Sequence, residues 1–344
     1  MFKIAENVEE ILKERENYTV DIAKRLCVIT ADRIHLKRFP VSNPVTAFNP
    51  SLVVNEDEVY LYPRVVVGYY IYASAVAEIR LSLEDIYSNS LSHYTADLVL
   101  YPNNKFDIWG VEDPRAVFVD EDVFITYCGR TVSYFDPHIR VERTLPITAI
   151  KDKHGWRKIC IHRFPHPLRN TIVSDKDAFI LKTNNGLKLF HRPHTHEEKF
   201  YLAISDVEEF DHDKFKESTI KDTIVIMTEA DFEERLGWGT PPVEVDGELL
   251  FLIHGLEKDS KAYKVFAMTM NKNLEVTSVT SHYIMEPKEI YEMYGDRPFV
   301  VFPCGAAVID DSLIVSYGCA DFAVGICEFD LSDLMSILDK NRID

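Results

Sequence analysis

The stretch RAVFVDEDVFITYCGRT, residues 115–131, is an apolar run, a short acidic turn around Glu121 and a second apolar run that leaves through Gly129 and Arg130. That is the signature of a β-hairpin. The pattern recurs four times, as SLVVNEDEVYLYPRV from Ser51, DAFILKTNNGLKLFHRP from Asp177, PPVEVDGELLFLIHGL from Pro241 and GAAVIDDSLIVSYGCAD from Gly305. With Glu56, Glu121, Asn185, Gly247 and Asp311 as turn markers, successive spacings are 65, 64, 62 and 64 residues. Each hairpin is followed by another strand-like run: AVAEIRLS, LPITAI, FYLAISDV, AYKVFAMTM and FAVGICEFDL. A repeat of that size holding a hairpin and further strands predicts one propeller blade, and the chain length accommodates five. A β-sandwich or two small β-domains would leave the even spacing unexplained.

The fold expected is therefore all-β, a five-bladed β-propeller with short N- and C-terminal helices. One domain, residues 1–344, is expected to comprise an N-terminal helical extension and entry strand over 1–42, the propeller over 43–330 and a C-terminal helix over 331–344. Ile4, Val8, Ile11 and Leu12 have helical spacing within the first 17 residues, and LSDLMSIL supplies the second helix.

Composition narrows the function. The 38 Lys+Arg against 56 Asp+Glu give a formal charge of −18, and no basic block interrupts the acidic background. Such a chain lacks the footprint needed to neutralise nucleic-acid phosphates or to bind an anionic membrane. The six cysteines form neither a CxxC pair nor a zinc spacing and read as free, mostly buried thiols. The N-terminal MFKIAENVEE lacks the apolar stretch of a signal peptide, so a cytoplasmic location is expected.

A hairpin returns to the end at which it began, and one end of a propeller channel gathers equivalent positions from every blade. Asn49, Glu112, Asp113, Lys176, Asp177, Thr240, Pro303 and Cys304 precede the first strands of the hairpins. Arg64, Arg130, His191, Arg192, His254 and Asp321 follow the second. This ring suits a hydroxyl-rich or anionic small molecule, held by charge-assisted hydrogen bonds. Asp113 is a candidate acid for an inverting cleavage of a sugar. HRPHTHEEK, residues 191–199, could hold zinc but reads better as a strand end contacting sugar or anion, so no metal is expected. Trp109 and Trp238 precede site motifs and suit either sugar stacking or packing.

GVEDPR at 110–115, FNP at 48–50, YPR at 62–64, SDKDAFIL at 174–181 with HRP at 191–193, TPP at 240–242 with IHG at 253–255, and VVFPCGA at 300–306 with GCAD at 318–321 together resemble glycoside hydrolase family 130. The resemblance implies a five-bladed propeller that cleaves β-mannosides with inversion, by phosphorolysis in most members and by hydrolysis in some. It implies that Asp113 is the catalytic aspartate, which in phosphorylases protonates the leaving oxygen through a hydroxyl of the bound mannose. Asn49, Arg64, Arg115 and Asp321 match sugar-site positions, and Glu112 is grouped with them. Lys176, Arg192 and His254 fall where phosphorylases grip phosphate, and His191 of the HRP motif is placed beside them.

Two departures favour hydrolysis. PPVE stands where phosphorylases resemble PPIK, putting Glu244 in place of a lysine, and VVVGYYIYASAVAE lacks an expected basic residue. A glutamate there would repel phosphate and could activate water. Glu244 is thus the expected base, with Glu286 of MEPKE as a second candidate. The expected activity is inverting hydrolysis of β-1,2- or β-1,4-linked manno-oligosaccharides. Phosphorolysis to mannose 1-phosphate, with inorganic phosphate as co-substrate and no other cofactor, is the alternative. A non-catalytic carbohydrate-binding propeller is the remoter one. Partners are then small mannosides, and the terminal helices offer surfaces for a homo-oligomer.

Overall fold

A computed structural model describes residues 2–55, 58–68, 73–88, 92–211 and 214–343. Five antiparallel sheets form blades around a central axis. The predicted hairpins are their inner strand pairs: Thr46–Asn55 with Glu58–Val66, Val111–Val119 with Asp122–Arg130, Ile172–Thr183 with Gly186–Thr195, Val243–Val245 with Glu248–Glu257, and Val301–Ile309 with Ser312–Cys319. The Glu56 turn marker lies outside the described residues. The expected third strands follow at Ser74–Ser82, Thr144–Asp152, Tyr201–Asp206, Tyr263–Met270 and Ala323–Asp330.

Packing between blades explains the near-continuous apolar runs, because a strand covered on both faces has no polar face to alternate with. Leu52 and Val65 of blade one meet Ile314 and Ile326 of blade five. Val53 and Tyr62 meet Val111 and Ile125 of blade two, and Phe124 and Ile150 of blade two meet Ile180 and Leu189 of blade three. Phe179 and Phe190 stack with Phe251 and abut Trp238 of blade four, and Leu250 and Leu252 meet Leu313 and Val315 of blade five. Five apolar seams therefore close the ring. Trp238 is wholly buried in one of them and donates from Nε1 to the His191 carbonyl at 3.1 Å, which makes it a packing residue.

The termini differ from expectation in detail. Only Val8–Lys13 is helical at the N-terminus, burying Val8 and Ile11. Lys3–Ile4 instead adds a parallel strand to blade three, leaving Ile4 58% exposed. Lys24–Ile29 pairs with Ala323–Asp330 and completes blade five, so the propeller draws on residues before 43. The C-terminal helix is Leu331–Asp339, capped by the Asp330 side chain, which accepts from the Asp333 N–H. Beyond it the chain turns back to pair with blade four, the Ile343 N–H donating to Thr277.

The inner strands carry a feature that positions the site. In blades one, two and three the ladder skips one residue between Phe48 and Ser51, between Glu112 and Arg115 and between Lys176 and Phe179. Within these bulges Asn49, Asp113 and Asp177 have φ of 45°, 47° and 49°. Asn and Asp tolerate this left-handed region better than other side-chain-bearing residues, and a bulge re-aims the side chain it carries.

Candidate active site

The three bulges lie at one end of the channel, in the wall of a cavity of about 360 Å³. Blades one to three supply Asn49, Arg64, Glu112, Asp113, Arg130, Lys176, Asp177 and Arg192 to its lining. Arg235 and Tyr263 come from blade four, Phe302 and Asp321 from blade five, and Tyr134 and Arg297 from connecting loops.

Two carboxylates are caged by cations. Glu112 is buried and accepts from Arg130 Nε at 2.7 Å, with Arg64 at 3.3 Å, Lys176 at 3.5 Å and the Tyr134 hydroxyl around it. Burial alone would raise its pKa, but Arg64, Arg130 and Lys176 outweigh burial and hold it well below the usual carboxylate range. Asp177 lies 2.9 Å from Arg192, 3.2 Å from His254 and 3.6 Å from Arg115. Burial is again outweighed, by Arg192, His254 and Arg115, and its pKa is lowered.

Asp113 is held differently. Asn49 Nδ2 donates to its Oδ1 at 2.8 Å and Arg64 donates to the same oxygen at 3.0 Å. Both bonds fall on one oxygen, so the second remains for a ligand or a proton. Gly318 packs against the Asn49 amide, where a Cβ would collide with it, so the glycine preserves this hold on Asp113. Asp321 faces the same charges; burial, aided by Asp113 and opposed by Arg64, pushes its carboxyl up to about 6.

Of the expected site residues, Asn49, Arg64, Glu112, Asp113, Lys176, Arg192 and Asp321 line one cavity. Five others do not. Arg115 is wholly buried, its guanidinium spent on the Gly239, Trp238 and Asp113 carbonyls at 2.9, 3.0 and 2.8 Å, and it braces blade two against blade four. His191 is enclosed behind the wall between Asp175 and Ser205, each at 2.8 Å. His254 is enclosed too; burial lowers its pKa against the pull of Asp177, and its ring packs 4.2 Å from that of Phe302. Both histidines hold the wall's shape instead of meeting a ligand.

Glu244 is the largest correction. It lies beside the blade-four turn at Asp246 and Gly247, its side chain 61% exposed and paired with Lys272. Beyond the break at Pro241 and Pro242 it pairs with Leu249 on the turn side of the hairpin, outside the cavity lining. Glu286 also lies outside the lining, accepting from Thr19 at 2.8 Å and facing Lys264 at 3.1 Å. Neither glutamate is positioned to activate water at Asp113.

Sequence reasoning assigned no role to Tyr134, Arg235, Tyr263, Arg297 or Phe302. Tyr134 and Arg297 sit on connections outside the repeat, where no period points to them. Arg235 precedes the blade-four hairpin, because the inner strand there is broken into Glu233–Trp238 and Val243–Val245 by a segment containing Pro241 and Pro242. Arg235 and Arg297 face the rings of Phe200 and Tyr263 at 5.1 and 4.7 Å, and neither has a carboxylate at salt-bridge distance among the described residues.

A family model described as beta-1,4-mannooligosaccharide phosphorylase matches residues 13–340. A 1,2-beta-oligomannan phosphorylase of Thermoanaerobacter sp. is 27% identical over 242 residues, 69% of this chain and 73% of that protein. A beta-1,4-mannooligosaccharide phosphorylase of Ruminococcus albus is 25% identical over 246 residues, 68% of this chain and 67% of that protein. Among solved structures, the beta-1,2-mannobiose phosphorylase of Listeria innocua, in complex with beta-1,2-mannobiose, superposes with a TM-score of 0.69. It is 20% identical, and the match covers 93% of this chain and 99% of that one.

Proposed function

Because the chain belongs to glycoside hydrolase family 130 and acts on β-mannosides, we propose that it cleaves them by phosphorolysis, releasing mannose 1-phosphate. The reading rests above all on Arg235 and Arg297, two cations that line the cavity of Asp113 with no carboxylate at salt-bridge distance among the described residues. Such a pair, with Arg192 and Lys176 nearby, suits a phosphate dianion as nucleophile. The base that hydrolysis would need was expected at Glu244 or Glu286, and neither lines the cavity. Phosphorolysis needs no base, because phosphate is already nucleophilic.

In this reading Asn49, Arg64 and Asp321 orient the mannose, and Asp113 supplies the proton. A phosphate oxygen attacks C1 from the face opposite the glycosidic oxygen. The C1–O bond breaks with its electron pair going to the leaving oxygen, which takes a proton from Asp113 relayed through a mannose hydroxyl. Hydrogen phosphate loses its own proton as the product ester forms, and that proton restores Asp113. Attack from the opposite face turns a β-mannoside into the α-phosphate.

The test is to incubate the protein with β-1,2- and β-1,4-mannobiose, with and without inorganic phosphate, and to follow phosphorus NMR. α-Mannose 1-phosphate formed from either sugar only when phosphate is present is the expected result. Free mannose released at the same rate without phosphate would overturn it.

A further inference from the structure

A second cavity, also about 360 Å³, adjoins that of Asp113 and shares Arg130, Tyr134, Ser174, Lys176 and His194 with it. Arg140 and Arg143 line it as well, and among the described residues no carboxylate does. The carboxylates nearest to it are committed. Glu112 is divided among Arg64, Arg130 and Lys176, Glu198 among His194 and Arg140, and Asp136 Oδ1 accepts from the His138 N–H. Among the described residues the Arg143 side chain donates to the Asp136 and Ile139 carbonyls, both at 2.6 Å. Burial lowers its pKa, Arg130 and Arg140 lower it further, and Asp136 opposes them. Cations crowded together in a partly enclosed space are repulsive until an anion joins them.

The direction of this cavity follows from its hydrogen bonds. The leaving oxygen must lie within one relaying mannose hydroxyl of the proton donor, Asp113. Arg64 bonds to Asp113 with one nitrogen and to the Tyr134 hydroxyl with the other, at 3.0 and 2.8 Å. Tyr134 borders both cavities. From these contacts we infer that the second cavity takes the leaving group of the substrate, and that this group is an acidic sugar carrying a carboxylate or a phosphate ester. Arg143, with Arg140, selects it. The inference rests on the phosphorolysis reading for the direction of the leaving group, but not for the presence of the anion site.

Two experiments on the full chain separate them. In the first, glucuronate, mannose 6-phosphate and their neutral parents are titrated calorimetrically against the protein in saturating inorganic phosphate, which fills the nucleophile site. Binding of an acidic sugar at least 10-fold tighter than its parent, reduced to parity by Arg143→Gln and partly kept by Arg143→Lys, is expected. Equal binding of acidic and neutral sugars, or a preference that survives both Arg143→Gln and Arg140→Gln, would overturn the inference. In the second, α-mannose 1-phosphate is offered with the same sugars as acceptors. A higher kcat/KM for the acidic acceptor is expected, lost in Arg143→Gln without loss of the neutral-acceptor rate. Preference for glucuronate or for mannose 6-phosphate identifies the carboxylate or the ester. Failure of every acceptor, neutral ones included, would count against phosphorolysis, and the calorimetry would then decide the anion site alone.

Discussion

Blades one to three and blades four and five build opposite halves of one cavity by different means. The first three each insert an extra residue into the inner strand and place Asn49, Asp113 or Asp177 there with positive φ. Blade five skips a residue as well, between Pro303 and Gly305, but carries the buried Cys304 in that place. Blade four is broken instead, and its wall is made of Arg235 and Tyr263. One half therefore presents carboxylates fixed by arginines, and the other presents Arg235 and Arg297 against aromatic rings, with Asp321 as its carboxylate in the lining and no carboxylate at salt-bridge distance from either arginine among the described residues. The same architectural repeat can thus hold a proton donor on one side of a sugar and receive an anion on the other. The division of labour comes from what sits in the bulge, not from a change of fold.

Asp113→Asn attacks this contrast at its centre. Asparagine accepts the same left-handed backbone, as Asn49 does one blade away, so the fold should survive. Mannose 1-phosphate release is expected to fall about 10³-fold, within the usual range for a lost general acid, with an unchanged melting temperature. Glu112→Gln should act chiefly on stability. It leaves Arg64, Arg130 and Lys176 without the charge they share, at a cost of about 3 kcal/mol, readable as a lower urea midpoint.

Asp321→Asn sharpens the comparison through pH. A carboxyl raised to about 6 stabilises the fold while protonated. That contribution is complete below its unfolded value of about 3.9 and is lost as pH rises through about 6. The native protein should therefore lose stability, by about 3 kcal/mol, relative to Asp321→Asn between about pH 4 and pH 7. Thermal melts of both proteins across that range check it. The smallest effect belongs to Glu244→Gln. An exposed pair with Lys272 is worth under about 0.5 kcal/mol, and turnover should stay within about 2-fold of the native protein. A large loss of rate there would return the base to blade four and revive hydrolysis.

The repeat was legible because hairpins are local: strand, turn and strand lie within a few residues, and the turn residues mark themselves. The same locality carried Asn49, Arg64, Asp113 and Arg192 to one end of the axis, since strand ends follow from strand positions. What the repeat could not give was depth along a strand. Glu244 was read as a site residue because PPVE stands where phosphorylases resemble PPIK, whereas the break in the inner strand sets it beside the blade-four turn. His191, His254 and Arg115 were placed at the right end, but the period carries no information on whether a side chain faces the cavity or the neighbouring blade. Tyr134 belongs to the connection between the second and third strands of blade two and Arg297 to the one between blades four and five, and the course of both depends on contacts distant in sequence.

The strand Lys24–Ile29 has a consequence for how the molecule is made. It leaves the ribosome before any of the five inner strand pairs, yet its antiparallel partner, Ala323–Asp330, follows all of them. Through most of synthesis it must wait as an unpaired edge, a state that invites mispairing with other chains. Its first two residues, Lys24 and Arg25, supply charge that discourages this until Glu328 and Glu292 arrive to receive them. The ring is thus fastened by two strands that lie on either side of the five inner strand pairs in the chain. A nascent chain that stalls before blade five holds most of the site residues, but has no means of holding the circle shut.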